Sequence, residues 1–471
     1  MNRHNPFLKE VANTPRAEAV RAALQILMPA IVGIFLVWGV LTKSLPFVFA
    51  ETNPELSLRL NPDNSIALIA LAERERAKLL QLTQAQEDLA KTPETTNSHS
   101  KTGTDAATVP VPANAGQDTA LAEINKRREE IVALARRAIA NDPLNARGFR
   151  ILAEVSDTPE QTRLLMKEAV KRSRRESIAV FWLLADSFAQ KDFLDVVENA
   201  EVLLRTGSDL TPEAMSYLGE LAAIPEGRAA LVAALAQQPS WRRGFFQALP
   251  NIVQLAGTPY ELMIALKDAG SDLAASELAP YLNALVRENL VPYARDIWVQ
   301  LRPDGDSQPA TLLNNASFAS EPSGMPFDWG VQRGASATVE FTPLGDNERS
   351  RSVSFTFGAG RVQFPELSQM VVLAPGRYRF SGEFEGMIRA RRGLRWEIHC
   401  WKGKELAKTE MLYGLANARQ PFGLDIDVPD RDDCRSQHLR LFHDARSASE
   451  QLISGQASFR SLSLTALAPS P

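Results

Sequence analysis

Cysteine is nearly absent: Cys400 and Cys434 are the two in 471 residues. That excludes a disulfide-dense scaffold and lacks the paired spacing of a zinc site. Histidine is scarce too, with His4, His99, His399, His438 and His443 the full set of five. A metal centre would need His399, one of His438 and His443, and a carboxylate, and no such set is assigned. The motifs GxSxG and HExxH and the P-loop are missing, so neither a catalytic residue nor a cofactor is assigned. The net charge of −4 shows no basic excess, which argues against a nucleic-acid partner.

Long apolar runs are missing as well, with one exception. Ala22 to Leu41 reads AALQILMPAIVGIFLVWGVL without a charge, and about 20 such residues suffice to cross a bilayer core. Arg3, Lys9, Arg16 and Arg21 precede it, whereas Lys43, Glu51 and Glu55 follow. The positive-inside rule then makes residues 1–21 a cytoplasmic tail, 22–41 a single transmembrane helix and the remainder extracytoplasmic. A cleaved signal peptide ending near Ala50 and a buried core helix are the rival readings.

Residues 51–90 read as helical, with NPDN at Asn61–Asn64 as a start signal. The stretch 91–119 is rich in Thr, Pro, Ala and Asn and reads as a disordered insert. From 120 to 303 the pattern is again helical. Ala138, Ala169, Ala200 and Ala234 recur at steps of 31, 31 and 34 residues, each late in one helix and before a polar turn. Helix-turn-helix units of that period stack into a solenoid; a non-repeating bundle is the alternative.

The period then changes to two, and the stretch 311–471 reads as a β-domain. Val353, Phe355 and Phe357 alternate with polar residues, as do Tyr378, Phe380 and Phe384, and Leu394, Trp396, Ile398 and Cys400. Roughly eight short strands between Gly, Pro and Asp turns predict an antiparallel sandwich. In an extracytoplasmic domain a Cys400–Cys434 disulfide is expected, against two separate buried thiols.

Two resemblances follow. AIANDPLNARGFRILAEV (Ala138–Val155), and more weakly LNPDNSIALIALAE (Leu60–Glu73), resemble tetratricopeptide repeats. This implies an all-α, tetratricopeptide-like solenoid that binds protein partners. LLNNASFASEPSGMPFDWGVQ, through Asn315, Phe318, Pro326 and Trp329, resembles the opening of jelly-roll carbohydrate-binding modules, where these positions are framework. A multidomain chain with a transmembrane helix, a helical solenoid and a C-terminal jelly-roll-like sandwich resembles membrane-anchored accessory proteins of bacterial exopolysaccharide assembly and export. The resemblance implies a single pass through the bacterial inner membrane, a periplasmic bulk and an acidic polysaccharide ligand.

Strand parity selects the candidate sugar contacts. Trp396 shares the apolar face and belongs to the core, whereas Trp401 falls with Arg395, Glu397 and His399. The run RARRGLR adds Arg389, Arg391, Arg392 and Arg395, whose guanidinium forks suit carboxylates. A solvated turn is the plainer reading of that run. A purely protein-binding scaffold and, least favoured, a polysaccharide-modifying enzyme are the alternative functions.

Overall fold

A computed structural model describes residues 15–40, 44–91, 114–302, 311–332, 334–345, 347–414 and 418–468. The chain divides into two compact units, Met1–Leu210 and Thr211–Pro471. The division falls within the helical run, so the last six helices share a unit with the strands.

The first unit holds α1 (Pro15–Gly39), α2 (Leu45–Phe49), α3 (Pro54–Leu60), α4 (Ser65–Lys91), α5 (Asn114–Asn141), α6 (Ala146–Glu154), α7 (Pro159–Arg172), α8 (Ser177–Ala189) and α9 (Phe193–Thr206). Among the described residues no helix is long and apolar enough to cross a membrane, which overturns the expected single-pass inner-membrane topology. The predicted cytoplasmic tail lies outside the described residues as far as position 14. So does the predicted insert from 92 to 113, while residues 114–119 form the first turns of α5.

Capping explains where these helices start. Asn64 accepts from the backbone N–H groups of Ile66 and Ala67 at 3.1 and 3.3 Å, and Asn145 accepts from Gly148 at 3.1 Å. Both asparagines belong to the turns read as repeat junctions. Ala138, Ala169 and Ala200 are fully buried, as small residues in a helix seam should be. Ala234 is half-exposed; Leu231 and Leu235 fill the core beside it, so the fourth step departs from the pattern. Buried Arg150 joins three carboxylates, Glu73 at 2.6 Å and Glu154 and Glu176 at 2.8 Å, tying α4, α6 and the start of α8 together.

The second unit opens with α10 (Thr211–Ala223), α11 (Pro225–Ala236), α12 (Arg242–Ile252), α13 (Thr258–Asp268), α14 (Ala275–Arg287) and α15 (Val291–Leu301). Ten strands follow: β1 (Gly330–Val331), β2 (Ala337–Leu344), β3 (Asn347–Phe357), β4 (Leu367–Val371), β5 (Gly376–Ala390), β6 (Leu394–Cys400), β7 (Glu405–Lys408), β8 (Arg419–Val428), β9 (Gln437–His443) and β10 (Ile453–Ala466). They form two five-stranded antiparallel sheets, ordered β1-β4-β9-β6-β7 and β2-β3-β10-β5-β8.

The period-two residues meet between the sheets. Phe355, Phe380, Phe384, Trp396 and Phe459 are all fully buried there. Trp396 sits edge-on to Phe380, with ring centroids 5.0 Å apart. The stretch before β1 is a hydrogen-bonded loop. In it the buried Trp329 donates from its indole to the Asn315 carbonyl at 3.0 Å and lies 5.4 Å from the Phe318 ring. Phe318 and Trp329 therefore close the core, in keeping with a framework role.

Candidate functional site

The outer face of the second sheet is built from the polar halves of the same alternating strands. Its register makes a ladder along β5. Arg377 faces Asp427 at 3.5 Å and Arg379 faces Asp425 at 2.9 Å. Ser381 meets Ser463 at 2.9 Å. Arg460 bridges Glu383 and Glu385 at 3.0 and 2.8 Å, and Arg419 also meets Glu385 at 3.4 Å. Each charge to this point has a cross-strand partner of opposite sign.

The last part of β5 breaks the rule. Met387 is exposed, and so is Arg389, which pairs in register with Ser454. Arg391, just past the strand, is exposed too. Among the described residues neither guanidinium has a carboxylate within 4.0 Å. β8 ends at Arg419, opposite Glu385, so no acidic strand continues alongside. Tyr413 takes up that position: its carbonyl accepts from the Ile388 N–H at 2.8 Å and its hydroxyl donates to the Arg391 carbonyl at 3.1 Å.

The other two arginines of RARRGLR are engaged. Arg392 binds both the carbonyl and the carboxylate of Asp444, and Arg395 lies 3.4 Å from the same carboxylate. That carboxylate holds the Arg392 guanidinium pKa above its usual range. The His443 imidazole meets the Arg392 carbonyl at 2.8 Å, completing a braced turn.

Trp401 has a different neighbourhood from the arginines. It follows β6 in the first sheet, on the polar side that parity assigns, but its indole donates to the Val286 carbonyl of α14 at 3.2 Å. Lys402 donates to the next carbonyl, Arg287, at 2.6 Å. The Trp401 ring stands edge-on to His438, with centroids 5.8 Å apart, and His438 stands edge-on to His399 at 5.2 Å. Burial, with His399 and Arg440 close by, pushes the His438 pKa down to about 4. Cys400, the residue before Trp401, is disulfide-bonded to Cys434, as the sequence predicts.

Of the five candidate sugar contacts nominated from the sequence, the structure brings Arg389 and Arg391 to one open end of a sheet and places Arg392, Arg395 and Trp401 in packed surroundings. Sequence reasoning did not find every residue at that end. It missed Arg361 and Leu452. An antiparallel bridge joins these two at the same end of the second sheet, and both are exposed. In the sequence Arg361 sits in the turn-like GAGRVQF, which carries no strand signal strong enough to reveal the pairing.

No family model matches this chain. No curated protein matches it either. Among solved structures, its C-terminal sandwich is similar to carbohydrate-binding modules. A family-61 module bound to β-1,4-galactotriose is 16% identical, with 33% of this chain and 98% of that one covered and a TM-score of 0.23. A β-1,3-glucan-binding family-6 module from Bacillus halodurans is 9% identical, with 30% and 97% covered and a TM-score of 0.20. A Stig cyclase from Fischerella sp. TAU matches as well, at 14% identity, 34% and 97% coverage and a TM-score of 0.23.

Proposed function

We propose that this chain is a non-catalytic accessory protein of polysaccharide assembly or export, whose helices hold protein partners and whose β-sandwich contacts an acidic polymer. The observation that carries this reading is the pair of exposed, uncompensated guanidinium groups, Arg389 and Arg391, at the end of a strand whose other charges are balanced. A guanidinium fork matches a carboxylate with two parallel hydrogen bonds. No aromatic side chain stands on the outer face of β5 for stacking on a neutral sugar, so charge is the recognition chemistry on offer. On the helical side, a groove of about 880 Å³ between α5, α6 and α7, lined by Arg128, Arg136, Leu152, Val155 and Leu165, suits a protein segment with mixed apolar and charged residues.

A second reading has its own support. Trp401 and Lys402 reach backbone carbonyls of α14, so the sandwich is seated on the helices of its own unit and could serve only as their cap. Affinity electrophoresis of the full chain through gels containing a polyuronate or neutral dextran separates the two. Retardation by the polyuronate, lost in an Arg389→Gln/Arg391→Gln double variant, supports the polymer-contact reading. No retardation at low salt sinks it.

A further inference from the structure

Three strands meet at the open end of the second sheet. β10 runs between β5 and the segment that follows β3, and its register assigns faces there. Ser454 pairs with Arg389, and Leu452, two residues earlier, bridges to Arg361. Residues two apart on a strand share a face, and antiparallel partners point to the same side. Burial agrees: Val362 and Ile453 are buried, whereas Arg361 and Leu452 are exposed. Arg361 and Arg389 therefore stand on one face, on opposite flanks of β10, with Leu452 and Ser454 between them.

We infer that Arg361, Leu452 and Arg389, with Arg391 beside them, form one binding platform for a linear polysaccharide that carries carboxylates and lies across the strands. This rests on the reading that the sandwich contacts an acidic polymer, and adds the site's extent and the ligand's arrangement. Two interstrand steps separate the outer arginines, roughly 9–10 Å across the sheet, a span that a disaccharide covers. Each guanidinium takes an acid group. Leu452, 53% exposed, offers apolar surface to the C–H face of the sugar ring between them, and Met387, 42% exposed, extends that surface along β5. Among the described residues Arg361, like Arg389 and Arg391, has no carboxylate within 4.0 Å. Nucleic acid fits less well, because a single strand needs aromatic stacking surfaces along a basic groove. Here the basic end gives way to Glu383 and Glu385.

The test is titration of the full chain with a polyuronate at low salt, alongside neutral dextran and a single-stranded oligonucleotide. Arg361→Gln should weaken polyuronate binding about fivefold, the weight of one exposed charge-assisted contact, and Arg389→Gln should match it. Arg377→Gln, on the same face but inside the ladder, should leave binding unchanged. Arg361→Glu should weaken it further, and an unchanged thermal melt excludes misfolding. Loss in Arg389→Gln with none in Arg361→Gln or Arg361→Glu overturns the cross-strand platform and leaves the polymer reading standing. Failure of wild type to bind the polyuronate overturns both. Oligonucleotide binding as tight as polyuronate binding overturns the assignment to polysaccharide.

Discussion

The indole nitrogen of Trp401 donates to the main-chain carbonyl of Val286, 115 residues earlier in the chain, at 3.2 Å. A strand end and a helix end are thereby joined by a side chain that shape and polarity alone would have offered to a ligand. Trp401→Ala should remove that bond and the ring contact with His438. The expected cost is about 2–3 kcal/mol, from buried aromatic surface and one hydrogen bond, read as a lower urea midpoint. Polyuronate affinity should be unchanged. A variant of wild-type stability that has lost polymer binding would return Trp401 to the ligand side.

His438 predicts an acid sensitivity. Its pKa is about 4 in the folded protein against 6.5 for the free side chain, because burial and the neighbouring His399 and Arg440 disfavour the charged ring. The unfolded chain thus binds a proton that the folded one refuses between those values. Stability is intact above about pH 6.5 and falls as pH drops toward 4, by on the order of 3 kcal/mol for this group. His399 and His443, also shifted down by burial, act in the same direction. Thermal melts from pH 7 to 4.5 should show a steep loss that His438→Gln flattens. An unflattened curve would place the sensitivity elsewhere.

Arg242 and Glu277 make a buried pair in the helical part of the second unit, at 2.7 and 2.9 Å. The guanidinium also reaches the Leu235 and Asp272 carbonyls and the Ser271 hydroxyl. Arg242→Met leaves the carboxylate buried without its cation, which should cost about 3–5 kcal/mol. Adding Glu277→Leu should recover much of that loss. If the double variant is no more stable than the single, the remaining donors matter more than the charge.

Reduction of Cys400–Cys434, separated by 34 residues, frees a loop whose closure in the unfolded state is worth about 4 kcal/mol in the chain-entropy model. Urea unfolding with and without reductant measures it, and Cys434→Ser should match the reduced protein. Equal midpoints would mean that native packing carries the join unaided.

What the sequence made legible was local. Alternation placed Phe355, Phe380 and Trp396 inside, because a pleated strand sends every second side chain to one face. The cap at Asn64, within the start signal NPDN, could be read because its hydrogen bond closes within three residues. Strand number ran low, at about eight against ten, because β1 and β7 are too short to show a period. The candidate site split along the same line. Arg389 and Arg391 were visible as a basic run. That Arg392 and Arg395 are neutralised by Asp444, some fifty residues on, depends on how β9 and β10 are connected. Arg361 needed the register of β10 before it joined the others.

The disulfide ends at the residue before Trp401. Past the bond the chain turns at once, with the Trp401 N–H donating to the Ser436 carbonyl at 2.9 Å and the Gly403 N–H to the Cys400 carbonyl at 2.8 Å, so the covalent bond and the backbone hydrogen bonds together mount the indole. The cystine is thus one member of the framework that fixes the peptide carrying the indole, and its influence reaches α14 through a single side-chain hydrogen bond.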